Sequence, residues 1–226
     1  RAAPENGFAV NIAAVQSQLS RQIYRLVFLC NPNNPTGQTL PVEHLAEWAT
    51  TWPQTLFVVD EAYIAFCPAM PSAIHLHLPN LLILRSMTKD YALTGLRLGY
   101  AVGDERVIAA LSKTRPPWNV NTMAQTAGIA ALQDASHINE SIIRLQQSCQ
   151  ALTTALRQRG YTVIPSAVHF FLVHVGDGAR FRAALRSRGV LVRDCASFGL
   201  PEYVRIAARQ PEENQRLLAA LDELIQ

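Results

Sequence analysis

Short apolar runs separated by helical patterns constrain this chain more than any other feature. Leu26 to Cys30, Leu56 to Asp60, Leu81 to Leu84 and Gly99 to Val102 lack polar alternation and are too short for ordinary helices, so they read as strands buried on both faces. Between the first two lies Pro41 to Thr50, with Pro at the first turn and Leu45, Trp48 and Ala49 on one side, the pattern of a crossover helix. A crossover of that length joins parallel strands, because antiparallel neighbours need only a tight turn. The first half of the chain is therefore expected to be α/β, with a mostly parallel sheet.

The texture changes after Arg115-Pro116-Pro117-Trp118. Asn121 to Leu132 reads as a helix, and Ile142, Leu145, Cys149, Leu152 and Leu156 mark a longer one that bridges two domains. Beyond Gly160, strands at Tyr161 to Ile164, His169 to Val175, Val190 to Val192 and Tyr203 to Ala207 alternate with helices at Ala179 to Arg188 and Pro211 to Ile225. The expected organisation is a large domain over 1–135 and a small C-terminal α+β domain over 136–226 that includes the bridging helix. At 49% hydrophobic and 16% charged, 226 residues suffice for a sizeable core. The net charge of +3 is spread over scattered arginines with no run of like charge, which argues against a nucleic-acid partner. No apolar stretch reaches the ~18 residues of a membrane span. Cys30, Cys67, Cys149 and Cys195 form no C-x-x-C pair, so neither a metal site nor a disulfide framework is indicated, and a reducing cytoplasm is the expected compartment.

Positive charge in this chain is spelled almost entirely as Arg, with Lys89 and Lys113 the only lysines among 20 basic residues. Arg cannot form an imine, whereas a desolvated Lys amine can drop its pKa and condense with an aldehyde, which singles out Lys89. Its neighbours fit that chemistry. The first three strands end in polar residues at their carboxyl ends, where open α/β sheets bind ligands. Strand one runs into Asn31-Pro32-Asn33-Asn34-Pro35-Thr36-Gly37, whose prolines restrict φ and hold the Asn34 amide. Strand two ends Asp60-Glu61-Ala62-Tyr63, and a carboxylate at the tip of a buried strand is costly unless a cation or donor faces it. A pyridinium N–H is such a partner. Strand three ends Ser86-Met87-Thr88-Lys89, with Arg97 downstream, and hydroxyls and a guanidinium around a lysine suit a bound phosphate.

N-P-x-N-P-T-G, D-E-x-Y, S-x-T-K and G-x-R-x-G occur here in that order, and together they resemble the fold-type I pyridoxal-phosphate enzymes, the class I/II aspartate aminotransferase superfamily. The resemblance implies pyridoxal 5′-phosphate as cofactor, a homodimer, and catalytic roles for Lys89, Asp60 and Tyr63. Lys89 would hold the cofactor covalently, and Asp60 would keep the pyridine nitrogen protonated so that the ring is an electron sink. Asn34 and Tyr63 would donate to its 3′ oxygen, and Ser86, Thr88 and Arg97 would hold its phosphate. In the small domain, Tyr203-Val204-Arg205-Ile206-Ala207 is similar to the family's C-terminal strand, so Arg205, with Asn34, would take the substrate α-carboxylate.

The segments Arg115 to Asn121, Leu191 to Cys195 and Val204 to Arg209 look most like threonine-phosphate decarboxylases of cobalamin synthesis, relatives of the histidinol-phosphate aminotransferases. Arg209 stands where the aminotransferases usually carry Gly, and with Arg193 it would add cations for a phosphorylated amino acid. The expected function is thus L-threonine O-3-phosphate decarboxylation to aminopropanol phosphate, with a histidinol-phosphate or related aminotransferase as the alternative. An inactive fragment or a non-catalytic aminotransferase-like domain is a further one. His169 departs from the Asn common at its place, and the chain opens at Arg1 without the family's Gly/Ser-rich phosphate loop, ring-stacking aromatic and N-terminal arm, as an N-terminally incomplete large domain would. His75 and His77 read as solvated residues of an extended loop, and no metal is expected.

Overall fold

The computed structural model describes residues 3–225; Arg1, Ala2 and Gln226, at the ends of the two expected domains, lie outside the described residues. The chain packs as two compact units, one formed by the residues up to Asn33 with Thr39–Ile138, the other by Asn34–Gln38 with the residues from Asn139 onward.

The first unit contains α1 (Ile12–Arg21), β1 (Leu26–Cys30), α2 (Val42–Thr51), β2 (Leu56–Asp60), β3 (Leu81–Ser86), β4 (Gly99–Gly103), α3 (Glu105–Thr114) and α4 (Thr122–Leu132). Its sheet has the order β1-β2-β3-β4, parallel across the first three strands and antiparallel between β3 and β4. The crossover logic explains the core. Leu45, Trp48 and Ala49 share a helical face of α2, and they meet Phe57, Val59 and Ile83, which share one sheet face through the two-residue strand period. Trp48, Leu45 and Phe57 are fully buried, each stabilising the fold by roughly 1.5–3 kcal/mol through area removed from water.

Burial on both faces does not hold for every strand. β1 and β4 are the outer strands of the sheet, and Phe28 of β1 is 69% exposed. Sequence pattern also missed α1, whose apolar residues Ile12, Val15 and Leu19 are diluted by Gln and Ser; Asn11 starts it by accepting a hydrogen bond from the Ala14 N–H. Pro41 is the N-cap of α2 and not a residue of its first turn. His75 lies in a 3₁₀ turn (Ala73–Leu76) that ends with His77 in the left-handed region, so the two histidines are not on an extended loop.

α5 (Ala135–Gln158) leads into the second unit, followed by β5 (Thr162–Val163), β6 (Phe170–His174), α6 (Gly178–Arg186), β7 (Arg193–Asp194), β8 (Tyr203–Ala207) and α7 (Pro211–Ile225). The sheet is antiparallel, in the order β5-β6-β8-β7. Phe171, Val173, Val204 and Ile206 pack with Leu152, Leu156, Leu185 and Leu221 of the helices, so strand alternation puts Phe170, Leu172 and Arg205 on the opposite face. The strand expected at Val190 to Val192 is not formed; the ladder to β8 is made by Arg193 and Asp194 instead. Segment 34–38 belongs to this unit through its own hydrogen bonds. The Ala167 N–H donates to the Gly37 carbonyl at 2.9 Å and Gln38 Nε2 to the Pro165 carbonyl at 2.6 Å. Gly37 has φ +68°, and a Cβ there would lie 1.9 Å from Ser166 Oγ, so only glycine allows this approach.

Candidate active site

At the carboxyl end of the first sheet the chain gathers a compact set of polar groups. Asp60 is the last residue of β2 and is in register with Leu84 of β3, so Ser86 follows two residues further along the neighbouring strand. Ser86 Oγ and Thr88 Oγ1 are 2.7 Å apart, and Lys89 Nζ donates to Thr88 Oγ1 at 3.1 Å. The loop beyond is folded back on the same residues: Thr94 Oγ1 donates to the Thr88 carbonyl at 3.0 Å, and Arg97 Nη1 to the Thr94 carbonyl at 2.9 Å. Ser86, Thr88, Lys89 and Arg97 thus belong to one connected structure. One Asp60 carboxylate oxygen accepts the Ala62 N–H at 2.9 Å, and the Tyr63 ring lies beside that of Phe66.

Behind this set sits a residue that motif reading passed over. Glu61 is 1% exposed; Oε1 accepts the Ala73 N–H at 2.7 Å, while Oε2 accepts from Ser72 Oγ at 2.6 Å and Arg85 Nη1 at 3.3 Å. Its carboxylate ties the end of β2 to β3 one residue before Ser86. The only signal in the sequence is a second carboxylate beside Asp60, which pattern alone reads as solvated. Asn31, also 1% exposed, works similarly: its amide accepts from the Leu40 N–H and donates to the Leu40 carbonyl, both at 2.8 Å, closing the loop after β1.

The other expected residues lie in the second unit. Asn34 Oδ1 accepts a hydrogen bond from Arg205 Nη1, and the Arg205 guanidinium lies 5.1 Å from the Phe170 ring centroid. Arg193 stands directly opposite Arg205 across the β7–β8 ladder. Like charges so placed destabilise a sheet, and the two are held by different partners, Arg193 donating to Ser197 Oγ at 2.9 Å. Along the same edge of β8 runs a cleft of about 550 Å³ lined by Arg182, Arg193, Arg205, Arg209 and Arg216, with Glu213. Arg182 and Arg216 were not singled out by sequence, because their helices α6 and α7 are lined with ordinary surface arginines. Arg209 is not carried by an extended strand, as its four-residue spacing from Arg205 would require for a shared face. β8 stops at Ala207, and the Arg209 side chain turns to Glu213, Nε to Oε1 at 2.7 Å. Beside Arg205, burial and then the Arg205 charge push the His169 imidazole down from 6.5 to about 4, so it is neutral at physiological pH.

Among the described residues no helix is long and apolar enough to cross a membrane. The family model for aminotransferase class I and II matches residues 1–221. Histidinol-phosphate aminotransferase 2 of Ralstonia nicotianae is 39% identical over 210 residues, covering 89% of this chain and 56% of that protein. Histidinol-phosphate aminotransferase from Sinorhizobium meliloti, solved in complex with pyridoxal-5′-phosphate, superposes with a TM-score of 0.85 at 29% identity, over 95% of this chain and 61% of its own. L-threonine-O-3-phosphate decarboxylase from Porphyromonas gingivalis does so with a TM-score of 0.80 at 30% identity, over 88% and 64%. The chain therefore spans less than two thirds of the length of each.

Proposed function

Because this chain belongs to the aminotransferase class I and II family, we propose that it acts as a pyridoxal 5′-phosphate enzyme on a phosphorylated amino acid, with L-threonine O-3-phosphate decarboxylation as its reaction. The donor set fits the cofactor: a lysine amine already hydrogen-bonded to a threonine hydroxyl, a serine hydroxyl next to it, and a strand-end carboxylate that accepts the Ala62 N–H through one oxygen. When bound, the cofactor supplies an electron sink conjugated to the substrate α-carbon. Lys89 supplies the amine that attaches it, with Thr88 orienting Nζ. Ser86, Thr88 and Arg97 bind the phosphate, and Asp60 holds a proton on the ring nitrogen. Tyr63 and Asn34 donate to the 3′ oxygen.

Arg205, oriented by Asn34, takes the substrate carboxylate, and Arg193 with Arg209 takes the phosphate. The observation that carries the substrate class is the cross-strand pair Arg193–Arg205 inside a cleft with three further arginines. A sheet tolerates that repulsion when an anion relieves it, and a substrate with both a carboxylate and a phosphate does so. A cytoplasmic homodimer belongs to the same reading.

The names of the curated relatives support a second reading, histidinol-phosphate aminotransferase, which needs the phosphate cations equally. One experiment separates them. With O-phospho-L-threonine the protein should release carbon dioxide and retain pyridoxal phosphate, and Arg209→Gly should raise the KM about tenfold or more, the loss of one charge-assisted contact of roughly 1.5–3 kcal/mol. Conversion of the cofactor to pyridoxamine phosphate by histidinol phosphate, with no carbon dioxide released from phosphothreonine, selects the aminotransferase.

A further inference from the structure

The β8 ladder ends at Ala207, and the Ala208 N–H donates to the His169 carbonyl at 2.8 Å. One residue later Arg209 lies beyond the strand, yet its N–H and its carbonyl are both held. Asn214, 8% exposed in the first turn of α7, accepts the Arg209 N–H at 3.0 Å and donates to the Arg209 carbonyl at 3.1 Å. Its second amide hydrogen goes to Ser148 Oγ of α5 at 2.7 Å, and that hydroxyl donates to the same Arg209 carbonyl at 2.6 Å. Both amide hydrogens and the amide oxygen of Asn214 are therefore spent on the two peptide groups that flank Arg209, one hydrogen acting through Ser148. A cap or a turn would not require that. The residue before Asn214 takes the Arg209 side chain: Glu213 accepts from its Nε at 2.7 Å, in a pair whose side chains are 68% and 42% exposed.

We propose that the first turn of α7 sets the anion selectivity of the cleft, Asn214 fixing the Arg209 peptide and Glu213 serving as a resident counter-ion that a phosphate monoester must displace. The proposal rests on the reading that this cleft takes the substrate phosphate. Exposed ion pairs are weak, so a doubly charged phosphate that meets the planar guanidinium fork replaces Glu213 readily, whereas a neutral hydroxyl in the same position gains nothing from doing so. The carboxylate thereby holds the guanidinium when no phosphate is present and weakens phosphate binding by the cost of its own displacement, leaving an unphosphorylated analogue unaffected. Asn214 and Ser148 are positioning residues in this scheme, acting through Arg209.

The two arms predict effects of opposite sign from adjacent residues, which a merely structural role would not give. Calorimetric titration of the full chain with O-phospho-L-threonine and with L-threonine reads both. Loss of the amide clamp in Asn214→Ala should weaken phosphothreonine about tenfold, and Ser148→Ala should do so about threefold, with L-threonine unchanged. Glu213→Gln should tighten phosphothreonine roughly threefold to fivefold, the range of an exposed ion pair. If Arg209→Ala abolishes the preference for phosphothreonine but Asn214→Ala, Ser148→Ala and Glu213→Gln leave it unchanged, the inference is overturned while the functional reading stands. Weaker phosphothreonine binding in Glu213→Gln overturns the counter-ion arm by itself. A preference undiminished in Arg209→Ala overturns the inference, because the other cleft arginines then hold the phosphate without it, whereas a preference missing from the parent chain refutes the functional reading instead. Should circular dichroism show Asn214→Ala unfolded, Ser148→Ala and the exposed Glu213→Gln carry the test.

Discussion

Glu61→Gln is the sharpest test of how the cofactor side of this fold is braced. The parent carboxylate is buried and accepts three hydrogen bonds, from Ser72, the Ala73 N–H and Arg85. A glutamine of the same shape offers one oxygen in place of two, so its NH₂ must face either the Ala73 N–H or the Ser72 and Arg85 donors. Breaking one partner of a buried pair typically costs 3–5 kcal/mol. Arg85 keeps 22% of its side chain in solvent and recovers some hydration, which moves the expected cost to the lower end, about 3 kcal/mol. For a chain of this length each kcal/mol lowers the midpoint by roughly 2–4 °C, so scanning calorimetry should show the first unit's transition falling by about 6–12 °C. The double variant Glu61→Gln/Arg85→Met separates pairing from packing. Without the cation the amide no longer confronts a charged donor, and the cycle should return a coupling of about 1 kcal/mol or more. A midpoint change under about 2 °C for Glu61→Gln, or additive single changes, refutes the bracing role.

Lys89→Ala should abolish covalent capture of the cofactor: after incubation with pyridoxal phosphate and borohydride, peptide mass mapping should find the adduct on Lys89 alone, and an adduct on Lys113 would overturn the assignment. Asp60→Ala should leave the circular dichroism spectrum intact and lower turnover by about a thousandfold or more, whereas near-normal turnover would remove Asp60 from the ring nitrogen. His169 gives an acid-sensitive term. Its imidazole binds a proton near 6.5 when unfolded and near 4 when folded, so its contribution is whole above pH 6.5 and is lost as pH falls towards 4. The loss amounts to at most about 3 kcal/mol, and urea unfolding at stepped pH should show a flatter acid limb in His169→Gln; an identical limb rules the residue out.

Most of the fold was legible because its signals are local. Leu26–Cys30 and Leu56–Asp60 each end where their apolar runs meet a polar residue, and helix α7 starts at Pro211 as its composition indicates. The errors arise where position within a sheet decides the outcome. Val190 to Val192 has a strand's composition, but β8 pairs with Arg193 and Asp194, and an edge pairing of two residues leaves no periodic trace. Phe28 looks buried by type and is exposed because β1 is an outer strand. At the candidate site, Lys89, Ser86 and Thr88 could be grouped because they share one segment. Arg182 and Arg216 come from two helices far apart in sequence, and nothing in either helix tells a cleft arginine from a solvated one. Glu61, Asn31 and Asn214 escaped for a related reason: their partners are backbone or distant side chains, so their value exists only in the folded state.

Those last residues also explain why the sites can sit beyond the strands at all. A ladder fixes its own residues, but ligands in this architecture bind past the strand ends, where the ladder no longer holds the backbone. β1 stops at Cys30, and Asn31 then brackets the N–H and carbonyl of Leu40; β8 stops at Ala207, and Asn214 brackets the N–H and carbonyl of Arg209. In both places a buried side-chain amide reproduces the pair of hydrogen bonds that a neighbouring strand would have made. β2 ends the same way with a charged group, Glu61 accepting from the Ala73 N–H and from Arg85. Each device extends the sheet's rigidity by a residue or two into the loop beyond the strand, which is the support that a positioned functional group requires. An amide suits this task because it donates and accepts at once without a charge to desolvate, and a carboxylate suits it only where a cation such as Arg85 stands opposite.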